Sequence, residues 1–87
     1  MRSVGILYRS RGIIEGDIGN WQQALYWHEK SVRVSPTDVR SAFRYAQALF
    51  MNGQPEKAED VFDRALAGST KDMAAWALEW RKGWKVD

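Results

Sequence analysis

The 87-residue chain has no cysteine, so no disulfide or thiolate metal site can hold it and packing must do that work alone. That composition suits a reducing compartment, and a cytoplasmic location is the expectation. Charge of one sign is also missing. Thirteen Lys and Arg stand against eleven Asp and Glu, a formal net charge of +2, and both signs are interspersed along the chain. A counterion-driven grip on nucleic acid is therefore not expected. No apolar run approaches the roughly 18 residues that a membrane span needs, so no membrane partner is expected either. Three arginines by Arg11 and no acid before Glu15 give the first residues a faint likeness to a targeting leader. The same residues also belong to a helical pattern, and a cleaved leader would take part of the fold with it.

A shift of 34 residues superimposes the sequence on itself. Gly19 falls on Gly53, Ala24 on Ala58, Ser35 on Ser69 and Asp38 on Asp72. Near matches at the same shift pair Gly12 with Ala46, His28 with Phe62, Lys30 with Arg64, Ser31 with Ala65 and Val32 with Leu66. Small residues meet small ones and large meet large.

Each unit reads as two helices. In the second, Ala58, Val61, Phe62, Ala65 and Leu66 lie at i, i+3, i+4, i+7 and i+8, an amphipathic stripe. Gly53 can take the left-handed turn that closes the preceding helix, and Pro55 suits a first helical position. Asn20 and Gln23 are spaced like a capping box, Pro36 interrupts, and Thr37 or Asp38 can cap the next helix. Five helices are predicted, at about 3–17, 21–34, 38–51, 55–67 and 72–85, with no competing strand pattern. The fold class is all-α: a right-handed α–α superhelix of two helix-turn-helix units, about 5–38 and 39–72, with a capping helix at about 72–85, in one domain spanning 1–87.

At these positions the sequence resembles the tetratricopeptide repeat family, whose 34-residue pattern has the form W-x2-L-G-x2-Y, A-x3-F, P. Ala24-x3-His28 and Ala58-x3-Phe62 fall on the A-x3-F element and Pro36 on the closing proline. Tyr8, Gly12 and Ala46 fit the first helices, whereas Arg11 and Glu15 stand where leucine and tyrosine are usual. Trp76 takes the family's tryptophan position, and Trp80 replaces the small residue. The small residues imply that Gly12 faces Ala24 and Ala46 faces Ala58, each a notch for a neighbouring helix.

No catalytic constellation emerges. His28 is the single histidine and lies where the repeat has a buried aromatic, so a core role is expected rather than a base or metal ligand. Glu56, Glu59, Asp60 and Asp63 share their helix with Lys57 and Arg64 and read as a solvated face. Glu15 and Asp17 have no partner chemistry beside them. The glycine-rich stretch 12–19 lacks the strand and the lysine of a phosphate cradle. No cofactor and no metal are implied, and an enzyme is the least expected class.

What the resemblance implies is a non-catalytic protein–protein interaction module, a scaffold or adaptor, with first helices lining a concave groove for a peptide. Helical spacing nominates Ile6, Arg9 and Ile13 on the first helix, Phe43, Gln47 and Phe50 on the third, and Ala77, Arg81 and Trp84 on the fifth. Such a floor suits an apolar anchor flanked by acidic groups. Some family members hold a C-terminal carboxylate with lysines and asparagines, a set from which Arg9, Ile13, Phe43 and Gln47 depart. Trp76, Trp80 and Trp84 recur at i, i+4 and i+8 and divide between core and interface. Two alternatives remain. Val61-Phe62-Asp63-Arg64 before Ala65-Leu66 resembles the half-a-tetratricopeptide repeats of RNA-processing scaffolds, with Arg81, Lys82, Trp84 and Lys85 as the basic, aromatic face. Self-association into a homo-oligomer is the other, because repeat arrays usually need at least about three units.

Overall fold

A computed structural model describes residues 2–85; Met1, Val86 and Asp87, the remainder of the expected 1–87 domain, lie outside the described residues. Five helices follow one another: α1 (Arg2–Asp17), α2 (Trp21–Val34), α3 (Val39–Met51), α4 (Pro55–Ala67) and α5 (Lys71–Arg81). There is no strand among the described residues. Helices α1 and α2 pack as one hairpin and α3 and α4 as a second. Contacts of α3 with both α2 and α1 join them, so the architecture is an all-α helical repeat.

The helix ends show why the chain turns where it does. Gly19 and Gly53, superimposed by the 34-residue shift, both take a positive φ, of 82° and 79°, a conformation that residues with a Cβ rarely adopt. Pro55 opens α4, where its missing N–H removes no helical bond. Asp38 caps α3 by accepting from the Arg40 backbone N–H, and Thr70 caps α5 by accepting from that of Met73. The capping box expected at Asn20 does not form. The Asn20 side chain instead donates to Glu15 Oε1 at 3.2 Å, crossing back to α1 rather than closing α2.

Two clusters fill the interior. Phe43, Ala46, Phe62, Ala65 and Ala77 bring α3, α4 and α5 together, and Tyr45, Leu49 and Ala58 close the α3–α4 hairpin on its other side. The first hairpin is closed by glycine. A Cβ on Gly12 would lie 2.5 Å from the His28 ring, and one on Gly16 would lie 2.8 Å from Trp21. Gly12 therefore seats His28, one turn beyond the Ala24 named by the sequence. Ala46, its counterpart, likewise shares a cluster with Phe62, whereas Ala58 belongs to the other cluster. The aromatic of the A-x3-F element fills the notch, and its alanine is buried alongside.

A polar thread crosses the first three helices. Ser31 Oγ donates to the Gly5 carbonyl at 2.9 Å, so its 2.7 Å contact with Ser41 Oγ must use the proton of Ser41. Asp38 Oδ2 lies 3.3 Å from the same Ser41 hydroxyl and accepts from Arg9 Nη1 at 2.9 Å. A second tie is Asn52, whose amide donates to the carbonyls of Trp21 and Ala48.

Helix α5 departs from expectation at its end. It stops at Arg81, and tight turns from Lys82 to Trp84 donate three residues back, to Glu79, Trp80 and Arg81. Gly83 is a poor helix former, and the tighter winding rotates Trp84 off the expected i+8 line onto Phe50 and Phe62, at ring separations of 5.5 and 5.6 Å.

Candidate functional site

The first helices of the units, α1 and α3, together with α5, flank a cleft of about 450 Å³. Arg9 and Ile13 come from α1, Arg40 and Arg44 from α3, Thr70 from the α5 cap, and Asp72, Met73 and Trp76 from α5 itself. Helical spacing makes this wall. Arg40 and Arg44 are one turn apart, as are Arg9 and Ile13, so each helix presents two rungs to the same space. Met73 and Trp76 provide the third side, and Trp76 stays 45% exposed there.

Electrostatics divide the arginines. Arg9 is committed to Asp38 by a 2.9 Å ion pair. Arg40 and Arg44 have no carboxylate at salt-bridge distance among the described residues, while Arg44 lies 5.0 Å over the Trp80 ring. Burial pushes the Arg44 guanidinium below its ordinary pKa, Asp17 opposes that shift, and Arg9 adds to it. It remains a cation, because guanidinium does not deprotonate in proteins. The wall is thus basic above an apolar floor, with Asp72 as its acid.

Next to the cleft, sharing Ile13 and Arg44, a smaller polar hollow of about 270 Å³ is lined also by Gly12, Gly16, Asp17, Trp21, His28 and Gln47. His28 is almost wholly buried, and its Nδ1 has no hydrogen-bond partner among the described residues. Burial first, then the charges of Arg44 and Arg9, lowers its pKa from 6.5 to about 4, so the ring is neutral at physiological pH. It fills the Gly12 notch, the place that Phe62 takes in the second hairpin.

The nine nominated residues scatter. Arg9 and Ile13 line the cleft, and Gln47 lines the polar hollow beside it. Phe50, Arg81 and Trp84 meet in a separate depression of about 350 Å³ over Phe62, where the Arg81 guanidinium lies 4.2 Å from the Phe62 ring. Ile6 is half-exposed on α1 and lines none of the three. Phe43 and Ala77 offer a ligand no surface: both are fully buried, and Phe43 packs on Phe62 at 5.1 Å. Their inclusion is corrected by the rotation of α3 and α5, which turns position 43 toward α4 and position 77 into the core. Sequence spacing missed Arg40, Arg44, Met73 and Trp76 for the same reason. The signal available was the i+4 pair of arginines on α3, which a core-facing stripe would not carry.

The tryptophans divide as well. Trp76 and Trp80 stack at 5.1 Å, Trp80 meets Trp84 edge-on at 5.2 Å, and of the three only Trp76 is exposed. With Trp84 turned inward and Arg81 laid over Phe62, the nominated basic, aromatic face is reduced to Lys82 and Lys85. Among the described residues, no three His, Cys, Asp or Glu side chains converge to hold a metal ion, and no helix is long and apolar enough to cross a membrane.

A sequence profile described as tetratricopeptide repeat matches residues 19–79, from the turn before α2 into α5. Neither a curated protein nor a solved structure matched the chain. With most of the chain matched, and two helix hairpins stacked at the 34-residue period, the chain belongs to the tetratricopeptide repeat family, whose repeats generally mediate protein–protein interaction.

Proposed function

We propose that the chain is a non-catalytic adaptor that holds a peptide segment of a protein partner in the cleft between α1, α3 and α5. The observation that carries this reading is an exposed indole beside two guanidiniums that have no ion pair among the described residues. Trp76 and Met73 stand across from Arg40 and Arg44, neither of which has an ion-pair partner among the described residues. Aromatic side chains in a cleft supply affinity through burial, and arginine orients carboxylates through its planar fork. The ligand is therefore a short acidic stretch carrying one large apolar residue, which sits on Trp76 and Met73 while its carboxylates reach Arg40 and Arg44.

Fluorescence anisotropy of labelled acidic peptides, each with a single Leu or Phe, tests this directly. Trp76→Ala is expected to weaken binding by about tenfold or more, equivalent to roughly 1.4 kcal/mol or above. Arg40→Glu is expected to weaken it and flatten its salt dependence. Equal binding by wild type and Trp76→Ala would remove the cleft from consideration.

A further inference from the structure

The polar hollow of about 270 Å³ beside the cleft has opposite charges on its walls that do not meet. Asp17, exposed at the end of α1, opposes the fall in the Arg44 pKa that burial causes. Among the described residues, however, the two form no ion pair at salt-bridge distance. Arg44 is seated instead over the Trp80 ring at 5.0 Å, a contact with the ring face that leaves N–H donors for other partners. Gln47, about one turn beyond Arg44 on α3, adds an amide that both donates and accepts. At the inner wall the nitrogen-bearing edge of His28 lies against Gly12, where a Cβ would come within 2.7 Å of both ring nitrogens. The ring is 1% exposed, and its Nδ1 has no hydrogen-bond partner among the described residues. Buried polar atoms are ordinarily paired, and one left unpaired in the lining of a hollow marks a place for a polar guest.

We propose that this hollow binds the side-chain carboxamide of a glutamine or asparagine in the peptide held by the cleft, an inference that rests on the cleft being the peptide site. The two cavities share Ile13 and Arg44, so a segment lying in the cleft has the hollow beside it. The amide oxygen accepts from Arg44, the amide nitrogen donates to the Asp17 carboxylate, and Gln47 can serve either end. Arg44 has donors enough to meet a ligand carboxylate on the cleft side and the amide oxygen on the hollow side. Charge selects the guest. A ligand carboxylate in the hollow would face Asp17, and an ammonium would face Arg44. A hydroxyl has one oxygen for both walls, and an apolar side chain would strip water from Asp17 and Arg44 without replacing its hydrogen bonds. A carboxamide is neutral and carries its donor and its acceptor on separate atoms, which matches walls of balanced charge.

Fluorescence anisotropy with the whole chain and labelled acidic peptides of one parent sequence tests the proposal. Each peptide carries a single Leu as its apolar anchor, and one Gln is walked through the positions on either side, with Glu and Met versions at each. Wild type is expected to prefer Gln at one position by about tenfold over both Met and Glu. Preference over Glu is the sharper sign, because at the other positions an added negative charge should strengthen binding to the basic wall. Asp17→Asn removes the repulsion of Glu, and the position is exposed, so circular dichroism should show unchanged helix content. In that variant Gln and Glu should come within about twofold of each other, with Met still disfavoured. Peptides that bind wild type, weaken in Trp76→Ala and show no preferred position for Gln overturn the carboxamide site and leave the cleft standing. A preference for Gln over Glu that Asp17→Asn leaves unchanged also overturns it. Absence of binding by every peptide, or binding that Trp76→Ala does not weaken, instead fails the cleft itself and this inference with it.

Discussion

Gly12 and His28 are one decision made at two positions. The imidazole sits where the second hairpin has Phe62, and it approaches α1 more closely than a Cβ at position 12, such as that of the equivalent Ala46, would allow. Gly12→Ala places a methyl group 2.5 Å from that ring, so the hairpin must open. Overpacking of this kind is expected to destabilise by about 1–3 kcal/mol, against which the better helix propensity of alanine returns up to about 1 kcal/mol. Denaturant unfolding of the variant should show a net loss, and a gain would mean that the ring has room to move. His28 also makes stability depend on pH. Its folded pKa of about 4 lies below the ordinary 6.5, so between those values the unfolded chain binds a proton that the folded chain refuses. Stability should fall as pH drops from about 6.5 toward about 4, by on the order of 3 kcal/mol, and this contribution should level off below that. His28→Phe is expected to keep the fold and remove this part of the pH dependence. Unfolding curves for both proteins at about pH 7 and about pH 5 check it, and parallel losses would assign the dependence to carboxylates instead.

At the scale of the element, α5 is bound differently from its predecessors. The hairpins close through glycine and alanine, whereas α5 has no comparably close backbone approach and rests on Ala77, Met73, Trp80 and Trp84. Trp84 turns back beneath it onto Phe50, Phe62 and Trp80. Trp84→Ala is therefore expected to cost about 2–4 kcal/mol and to loosen α5 before the hairpins, while Trp84→Phe keeps most of the contact. Hydrogen exchange along α5 reads this, and unaltered protection in Trp84→Ala would show that Ala77 and Trp80 suffice. The sequence predicted four of the five helices to within a residue or so at each end, because glycine, proline and Asp38 punctuate them chemically. It overran α5, where a single Gly83 and a tertiary pull on Trp84 decide the end. Phe43 and Ala77 were placed on the groove floor but are buried, because periodicity identifies a face but not which neighbour the face meets. Phe43 belongs to α4's side and Arg40 and Arg44 to the cleft, and that rotation is set by packing between hairpins rather than by local pattern. Replacing Phe43 by alanine would accordingly probe the core, not a binding surface.

Across the whole molecule, two polar links tie α1 to α3, the Arg9–Asp38 ion pair and the Ser41–Ser31–Gly5 chain, and Arg9 is itself a wall of the cleft. Ser31→Ala leaves the buried Gly5 carbonyl without its hydroxyl partner, a loss of about 1–3 kcal/mol by denaturant unfolding. It should also weaken peptide binding without touching the ligand, and unchanged affinity would uncouple the thread from the cleft. Residues 9 and 13 were legible as sharing one face because they lie one helical turn apart on α1, and that face lines the cleft. Trp76 was legible as a repeat position, but its exposure depends on where α5 comes to rest. The proposed function stands or falls on place, with a partner peptide lying between α1, α3 and α5. Backbone amide chemical-shift mapping during titration with an acidic, singly apolar peptide reads that place residue by residue. The largest changes should gather at Arg9, Ile13, Arg40, Arg44, Met73 and Trp76. Changes centred instead on the opposite groove, at Val32, Pro36, Tyr45 and Val61, would refute it.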